Sequence, residues 1–189
     1  MRCLIVYAHP NPKSFNHAVL ERLETALKAR SDEVKIRDLY DVGFDPVLKG
    51  SDFQAMKQGR TPKDIKAEQG FVKDADMIFF VYPIWWFGMP AILKGYIDRV
   101  FSHGFAYKTD ETGLIGLLKG KKVGIINTTG GQEDEFTSSG CEIALRTTTE
   151  VGTFETCGME VVFHKYFHGV PYVDDKARKE MLNQVESLI

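Results

Sequence analysis

Five short runs of β-branched and aromatic residues alternate with segments of helical periodicity along this chain. The runs cover residues 3–7, 33–39, 77–82, 123–128 and 159–163. Strands that alternate with helices imply right-handed crossovers and a parallel sheet that is covered on both faces. The pattern therefore predicts an α/β fold with three α/β/α layers, built on a doubly wound five-stranded parallel sheet in the order 2-1-3-4-5.

Three helices have recognisable starts. Ser14 and Asp174 each precede an apolar stripe of helical period and are candidate N-caps. Pro90 is expected in the first turn of a helix that runs through Val100. Residues 40–73 form a long connection with several glycines and prolines, which we expect to cover a site or a partner.

Composition narrows the class of protein. With 189 residues, of which 43% are apolar, the chain can bury one core, and we expect a single domain over residues 1–189. Its 24 basic and 26 acidic residues are spread along the chain, which argues against nucleic acid or an anionic membrane surface as a partner. The expected partner is a small molecule.

The cysteines and the N-terminus bear on location. Cys3, Cys141 and Cys157 form no close pair and are odd in number, so neither a disulfide scaffold nor a zinc site is expected. No apolar stretch approaches the roughly 20 residues that span a bilayer, and residues 1–7 lack the features of a signal peptide. We expect a cytoplasmic protein with no bound metal and no membrane insertion.

The candidate site consists of residues 9–16, 83–90 and 128–131, which follow predicted strands 1, 3 and 4. In a doubly wound sheet these strand ends meet where ligands bind. The first segment has the parts of a phosphate site, because a helix N-terminus offers free amides, Ser14 a hydroxyl, and His9 and Lys13 further donors. It matches neither the GxGxxG fingerprint nor a P-loop. An equally good alternative is that Ser14 only caps the helix and His9 only lies in a turn.

The second segment places Trp85, Trp86 and Phe87 consecutively in a loop. Three large aromatic residues in a loop are exposed unless they meet something, and a planar ring ligand would suit them. The alternative is that one or two fill the core and another meets a partner subunit. The third segment, Thr128-Thr129-Gly130-Gly131, offers hydroxyls and closely approachable backbone amides, or is simply a turn.

Other groups lack a catalytic pattern. His103, His164 and His168 have neither metal-ligand spacing nor cysteine neighbours, so we expect surface or core roles for each. The chain has no GxSxG elbow and no paired-carboxylate signature.

The stretch from Pro83 to Tyr107 carries a family resemblance. Trp-Phe-Gly at 86–88, Pro-Ala-Ile-Leu-Lys-Gly at 90–95, Arg-Val-Phe at 99–101 and Gly-Phe-Ala-Tyr at 104–107 resemble the NAD(P)H:quinone oxidoreductase family of flavodoxin-like flavoproteins. This family includes drug-activity modulators and ancillary subunits of potassium efflux systems. Residues 14–16, 67–69 and 128–131 agree with it, so the resemblance covers nearly the whole chain.

The resemblance implies a flavodoxin-like homodimer with two flavin sites at its interface. It also implies ping-pong two-electron transfer through flavin N5, from NADPH or NADH to a quinone or another small aromatic acceptor. His9, Ser14, Phe15 and Asn16 would hold the phosphate side of the flavin. The ring would lie against the aromatic loop and the glycine turn: Pro83, Ile84, Trp85, Trp86, Phe87, Thr128, Thr129, Gly130 and Gly131.

One departure from the family concerns catalysis. Phe136 and Glu142 stand where animal members carry a tyrosine and a histidine that steady charge on the reduced flavin. Phe136 has no hydroxyl, and a carboxylate at 142 would repel an anionic flavin, so no catalytic residue is assigned. The long 40–73 connection is closer to that of FAD-binding relatives, which favours FAD, with FMN as the alternative.

Two other functions stay open on sequence alone. A one-electron flavodoxin-like carrier would present a strongly acidic docking surface, which the near-neutral charge disfavours. A regulatory flavoprotein that binds a membrane transporter is the other alternative to the favoured quinone reductase, and the sequence leaves it open.

Overall fold

A five-stranded parallel sheet forms the centre of the computed structural model, which describes residues 1–189. The strands in chain order are β1 (Arg2–Tyr7), β2 (Glu33–Asp38), β3 (Met77–Pro83), β4 (Tyr107–Asp110), β5 (Gly113–Gly116), β6 (Lys122–Thr128) and β7 (Glu160–Phe167). The sheet has the order β2-β1-β3-β6-β7, and β4 pairs only with β5. Counting only the strands of the sheet, this is the order 2-1-3-4-5, so the predicted flavodoxin-like topology is confirmed.

Helices cover both faces of the sheet. They are α1 (Phe15–Ala29), α2 (Gly50–Lys57), α3 (Lys63–Asp74), α4 (Ala91–Val100), α5 (Glu133–Ser138), α6 (Cys141–Arg146) and α7 (Asp175–Glu186), with a π-helical segment at Thr147–Glu155 between α6 and β7. None of these helices is long and apolar enough to cross a membrane.

Two hydrophobic clusters lie on the two faces of the sheet. Leu4 and Val6 of β1 belong to one cluster, whereas Ile5 and Tyr7 belong to the other. Side chains of a strand alternate between faces, and a run in which every residue is apolar can therefore be buried on both sides. All seven residues of β3 are buried in this way.

The helix starts agree closely with the sequence. Ser14 accepts a hydrogen bond from the amide of His17, and Asp174 accepts one from the amide of Ala177, so both predicted N-caps are confirmed. Pro90 lies at the N-cap of α4, one position before the first turn in which it was expected. The fixed φ of proline serves the start of a helix at either position.

The long connection at 40–73 is more ordered than the sequence suggested, because it contains α2 and the crossover helix α3. The apolar stripe of α3 is hard to recognise, since its buried face includes Glu68 and Gln69 beside Ile65 and Val72. Both polar side chains have partners: Glu68 pairs with Arg37, and Gln69 donates to the carbonyl of Val100. Buried polar groups of this kind need such partners.

The fifth strand of the sheet was expected over residues 159–163 but extends from Glu160 to Phe167. The extra residues include His164 and Lys165, which are not strong strand formers. Pairing with β6 continues to Phe167, opposite Thr128. The longer strand carries three further aromatic rings to the carboxyl edge of the sheet.

Candidate functional site

A cavity of about 440 Å³ opens at the carboxyl ends of β1, β3 and β6. Eleven predicted site residues line it: His9, Ser14, Phe15, Asn16, Pro83, Ile84, Trp85, Trp86, Thr128, Thr129 and Gly130. Val170 and Pro171, which follow β7, complete the lining and were not predicted. We call this space cavity 1.

A second cavity of about 350 Å³ adjoins the first and shares Ile84, Trp86, Thr129 and Gly130 with it. The two remaining predicted residues, Phe87 and Gly131, line this cavity 2, together with Glu135, Phe136 and Ser139. All thirteen predicted residues thus border one continuous region. Its size is that of a small-molecule site.

Asn16 joins the first and third segments. Its side-chain amide donates a hydrogen bond of 2.7 Å to Thr128 Oγ1, and both residues are buried. The carbonyl oxygen of the same side chain has no partner in the protein. Buried polar groups are almost always paired, so this unpaired oxygen, in a residue that lines cavity 1, is consistent with a ligand that donates a hydrogen bond.

The aromatic loop is a tight two-residue turn. Trp85 and Gly88 exchange backbone hydrogen bonds of 3.1 Å in both directions, and Trp86 and Phe87 between them have φ values of 50° and 52°. Large side chains rarely adopt this left-handed region, where strain of order 1–3 kcal/mol per residue collects at functional sites. The turn exposes 99% of Trp86 and 60% of Phe87.

Trp85 has a different environment from the other two rings. Its ring lies 5.7 Å from that of His9, and Trp85 is less exposed than Trp86 and Phe87. Burial lowers the pKa of His9, whose Nδ1 accepts a hydrogen bond of 3.0 Å from the amide of Asn11. His9 therefore presents a neutral ring with Nε2 as the remaining donor.

The two threonine hydroxyls make hydrogen bonds that hold the third segment in place. Thr128 Oγ1 accepts from Asn16, and Thr129 Oγ1 donates to the carbonyl of Gly131 over 2.9 Å. A Cβ atom at Gly130 or Gly131 would meet no protein atom within 4 Å. Nothing in the protein therefore requires glycine at 130 and 131, whereas a closely approaching ligand would.

Phe136 and Glu142 differ in their relation to the cavities. Phe136 stacks on Phe87, with 6.0 Å between ring centroids and 22° between ring planes, and forms a wall of cavity 2. Glu142 lines neither cavity and pairs with Arg146 over 2.9 Å. Burial acts to raise the pKa of Glu142, but the hydrogen bond and charge of Arg146 outweigh it and hold that pKa below its usual range. Arg146 also pairs with Glu150 over 2.9 Å, so it offsets only part of the negative charge that was expected to repel an anionic ligand.

The structure adds a ladder of rings that the sequence interpretation assigned to ordinary surface or core roles. His164, Tyr166 and His168 lie on one side of the β7 strand and its extension, with centroids 4.3 Å apart for the first pair and 5.8 Å for the second. His164 Nε2 lies 2.6 Å from Asn127 Oδ1. The alternation His-x-Tyr-x-His at 164–168 is the signal for this shared face.

The fold and the two cavities define the class: a flavodoxin-like α/β protein with a candidate ligand site at the carboxyl edge of its sheet. A family model described as the flavodoxin-like fold matches residues 1–189. An NAD(P)H oxidoreductase of Haemophilus influenzae is 43% identical over 183 residues, which cover 96% of this chain and 91% of that protein. NAD(P)H dehydrogenase [quinone] 1 of Cavia porcellus is 34% identical, with 96% of this chain and 73% of that protein covered.

A solved structure agrees with these relatives. The NAD(P)H:quinone oxidoreductase of Methanothermobacter marburgensis superposes with a TM-score of 0.89 at 27% identity, over 99% of this chain and 94% of that one. The chain belongs to the NAD(P)H:quinone oxidoreductase family of flavodoxin-like proteins, and it is an oxidoreductase.

Proposed function

We propose that this protein is a flavin-dependent NAD(P)H:quinone oxidoreductase that works as a cytoplasmic homodimer. NADPH or NADH would donate a hydride to the flavin, and a quinone or another small aromatic electrophile would then accept the electrons. Donor and acceptor would occupy the same site one after the other. The observation that carries the proposal is the convergence of all thirteen predicted residues on two joined cavities. Bound flavin would supply two-electron hydride chemistry through N5, which amino-acid side chains do not provide.

The chemistry of the cavity walls suits a flavin. Cavity 1 begins at the N-terminus of α1, where the first amides have no intrahelical partner and the helix dipole favours a phosphate. The unpartnered Asn16 oxygen suits an N–H or O–H of the ligand. Cavity 2 has the stacked Phe87 and Phe136 rings on its wall, which suits a planar aromatic molecule.

The protein's contribution is to position and shield the ligand. The Asn16–Thr128 bond and the Trp85–Gly88 turn fix the spacing between the phosphate end and the aromatic end before a ligand arrives. Preorganisation of this kind lowers the free-energy cost of binding. The carbonyl of Gly131 is occupied by Thr129 and by the amide of Gly169, which keeps the glycine turn in one conformation.

Exposed aromatic surface supports the homodimer. Trp86 and Phe87 project from the protein next to the cavities, and exposed apolar patches of this kind mark binding or subunit surfaces. The three free cysteines support the cytoplasm, because burial raises the pKa of Cys3 and Cys157 to about 11 and keeps both as thiols. FAD is the proposed flavin, with FMN as the alternative.

An anaerobic titration of the purified protein with NADPH tests the proposal. We expect the visible flavin band to bleach with one equivalent of NADPH per flavin, followed by reoxidation with a quinone. Chromatography of the released cofactor then distinguishes FAD from FMN, and light scattering with and without flavin gives the oligomeric state. A protein that binds neither flavin on reconstitution, or whose flavin NADPH does not reduce, contradicts the proposed activity.

A further inference from the structure

His168 is attached to the glycine turn of the candidate site. Its Nδ1 lies 3.2 Å from Thr129 Oγ1. Backbone bonds on either side hold it there, since the amide of Thr129 donates to the carbonyl of Phe167 and the amide of Gly169 donates to the carbonyl of Gly131, each over 2.9 Å. The imidazole therefore moves with the turn.

The hydrogen bonds of Thr129 show which nitrogen of the His168 imidazole carries the proton. The single hydroxyl proton of Thr129 is used in the 2.9 Å bond to Gly131, so Thr129 Oγ1 accepts from Nδ1–H of His168. Nε2 makes no hydrogen bond within the chain. It is the atom at which His168 can gain a proton while its bond to Thr129 stays intact.

The surroundings of His168 act on its pKa in both directions, and burial makes the net effect a lowering. Burial lowers the pKa of His168, while the carboxylates of Glu133 on α5 and Glu142 on α6 act to raise it, and Lys165 on β7 acts to lower it. The Tyr166 ring stacks on one side at 5.8 Å, and the Phe136 ring packs at 5.3 Å. A neutral imidazole near two carboxylates responds to any further negative charge.

We propose that His168 is a positioning residue that binds one proton at Nε2 when negative charge develops on a ring ligand held at the Thr129–Gly131 turn. The inference rests on the proposed function. Reduction by a hydride brings two electrons and one proton and leaves the ring with one negative charge. A second proton, taken from solvent, then binds at Nε2, so two protons are bound per electron pair.

This role gives Glu142 a purpose in this chain. Neither Glu142 nor His168 lines a cavity, but His168 is bonded to Thr129, which lines both cavities, whereas Glu142 is paired with Arg146. The Glu142 carboxylate acts to raise the pKa of His168. This carboxylate would stabilise the imidazolium rather than act on the ring ligand.

The test uses the flavin-loaded protein and reads the histidine directly. NMR titration of the imidazole signals, first with oxidised FAD or FMN and then after reduction by light and EDTA, gives the proton affinity of His168 in both states. We expect it to rise about tenfold or more on reduction. Comparison with His168→Gln assigns the signals.

A second measurement follows the midpoint potential of the bound flavin against pH. Midway between the two pKa values of His168, wild type and His17→Gln should bind about one and a half protons or more per electron pair, whereas His168→Gln should bind one. An unchanged His168 proton affinity in a protein that binds flavin overturns this inference and leaves the proposed function standing. Failure of both flavins to bind overturns both.

Discussion

The side-chain amide of Asn16 donates a hydrogen bond of 2.7 Å to the hydroxyl of Thr128, 112 positions further along the chain. The bond connects the first turn of α1 to the last residue of β6, and both partners are buried. It sets the separation of two segments that the sequence could only place near one another. The site geometry therefore depends on one buried polar contact.

The Asn16–Thr128 bond is expected to matter for stability as well as for binding. Asn16→Ala leaves the Thr128 hydroxyl buried without its donor, and Thr128→Val leaves the amide without its acceptor. Each should lower the free energy of unfolding by about 1–3 kcal/mol, and urea unfolding of the flavin-free protein measures it. The double variant should lose less than the sum of the single losses, and strictly additive losses would show that the bond contributes nothing.

Trp86 is expected to serve binding at the expense of stability. Because Trp86 is almost fully exposed with φ of 50°, Trp86→Ala should change the free energy of unfolding by less than about 0.5 kcal/mol. Trp86→Gly should raise it by up to about 1 kcal/mol, since glycine adopts positive φ freely. Both variants should weaken flavin binding, which fluorescence titration measures.

Leu114→Ala provides the control for removing an exposed apolar side chain, because Leu114 lies on β5 and lines neither cavity. It should leave flavin affinity unchanged. Wild-type flavin content and NADPH oxidation in Trp86→Ala would remove Trp86 from the site.

The sequence predicted the sheet because its evidence is local and repetitive. Apolar runs such as β3 and capped helices such as α1 carry their structure in neighbouring residues, and the topology then brings three distant segments to one edge. The thirteen candidate residues lie together because the carboxyl ends of parallel strands meet at one edge of the sheet. This holds whatever the direction of their side chains. That reasoning predicts location but not orientation, and it therefore did not predict that the Thr129 hydroxyl donates to the carbonyl of Gly131.

The missed features depend on contacts that a single sequence does not reveal. The polar residues in the second half of β7 hid the strand pattern of its last four positions. The sequence therefore did not predict that His168 follows directly after this strand. The buried face of α3 is polar because Glu68 finds Arg37 on β2, a partner 31 residues away. The β4–β5 hairpin and the π-helical segment also lie outside the repeating strand–helix pattern. In each case tertiary pairing decided the structure over local propensity.

Arg99 is expected to be the main anchor of the 40–73 segment. It is buried on α4, bonds Asp52 over 3.0 Å, and donates to the carbonyl of Asp45 over 2.7 Å. Arg99→Met should lower the free energy of unfolding by about 3–5 kcal/mol, because it leaves the Asp52 carboxylate buried without its cation. Adding Asp52→Leu should recover most of that loss.

The exposed pair of Arg2 and Asp76 gives the comparison for Arg99. Its side chains are about half exposed, so Arg2→Met should lower the free energy of unfolding far less than Arg99→Met does. Equal losses in Arg2→Met and Arg99→Met, measured by urea unfolding at pH 7, would refute the anchoring role.

Glu135 is expected to select against anionic acceptors. It lines cavity 2 and stands in the first turn of α5 beside Glu133 and Asp134, so the α5 side of this cavity is negatively charged. Glu135→Lys changes the local charge by two units, which at several ångströms in water corresponds to about 1 kcal/mol and hence about a fivefold change in rate. Stopped-flow reoxidation of the reduced protein should therefore be about fivefold faster with a sulfonated naphthoquinone and unchanged with menadione.

Glu180→Lys, an exposed change of equal charge on α7, provides the control and should have no such effect. The gain in Glu135→Lys should shrink at 1 M salt because exposed charges are screened. Equal acceleration by both variants would mean that net charge, not the position of Glu135, controls the acceptor.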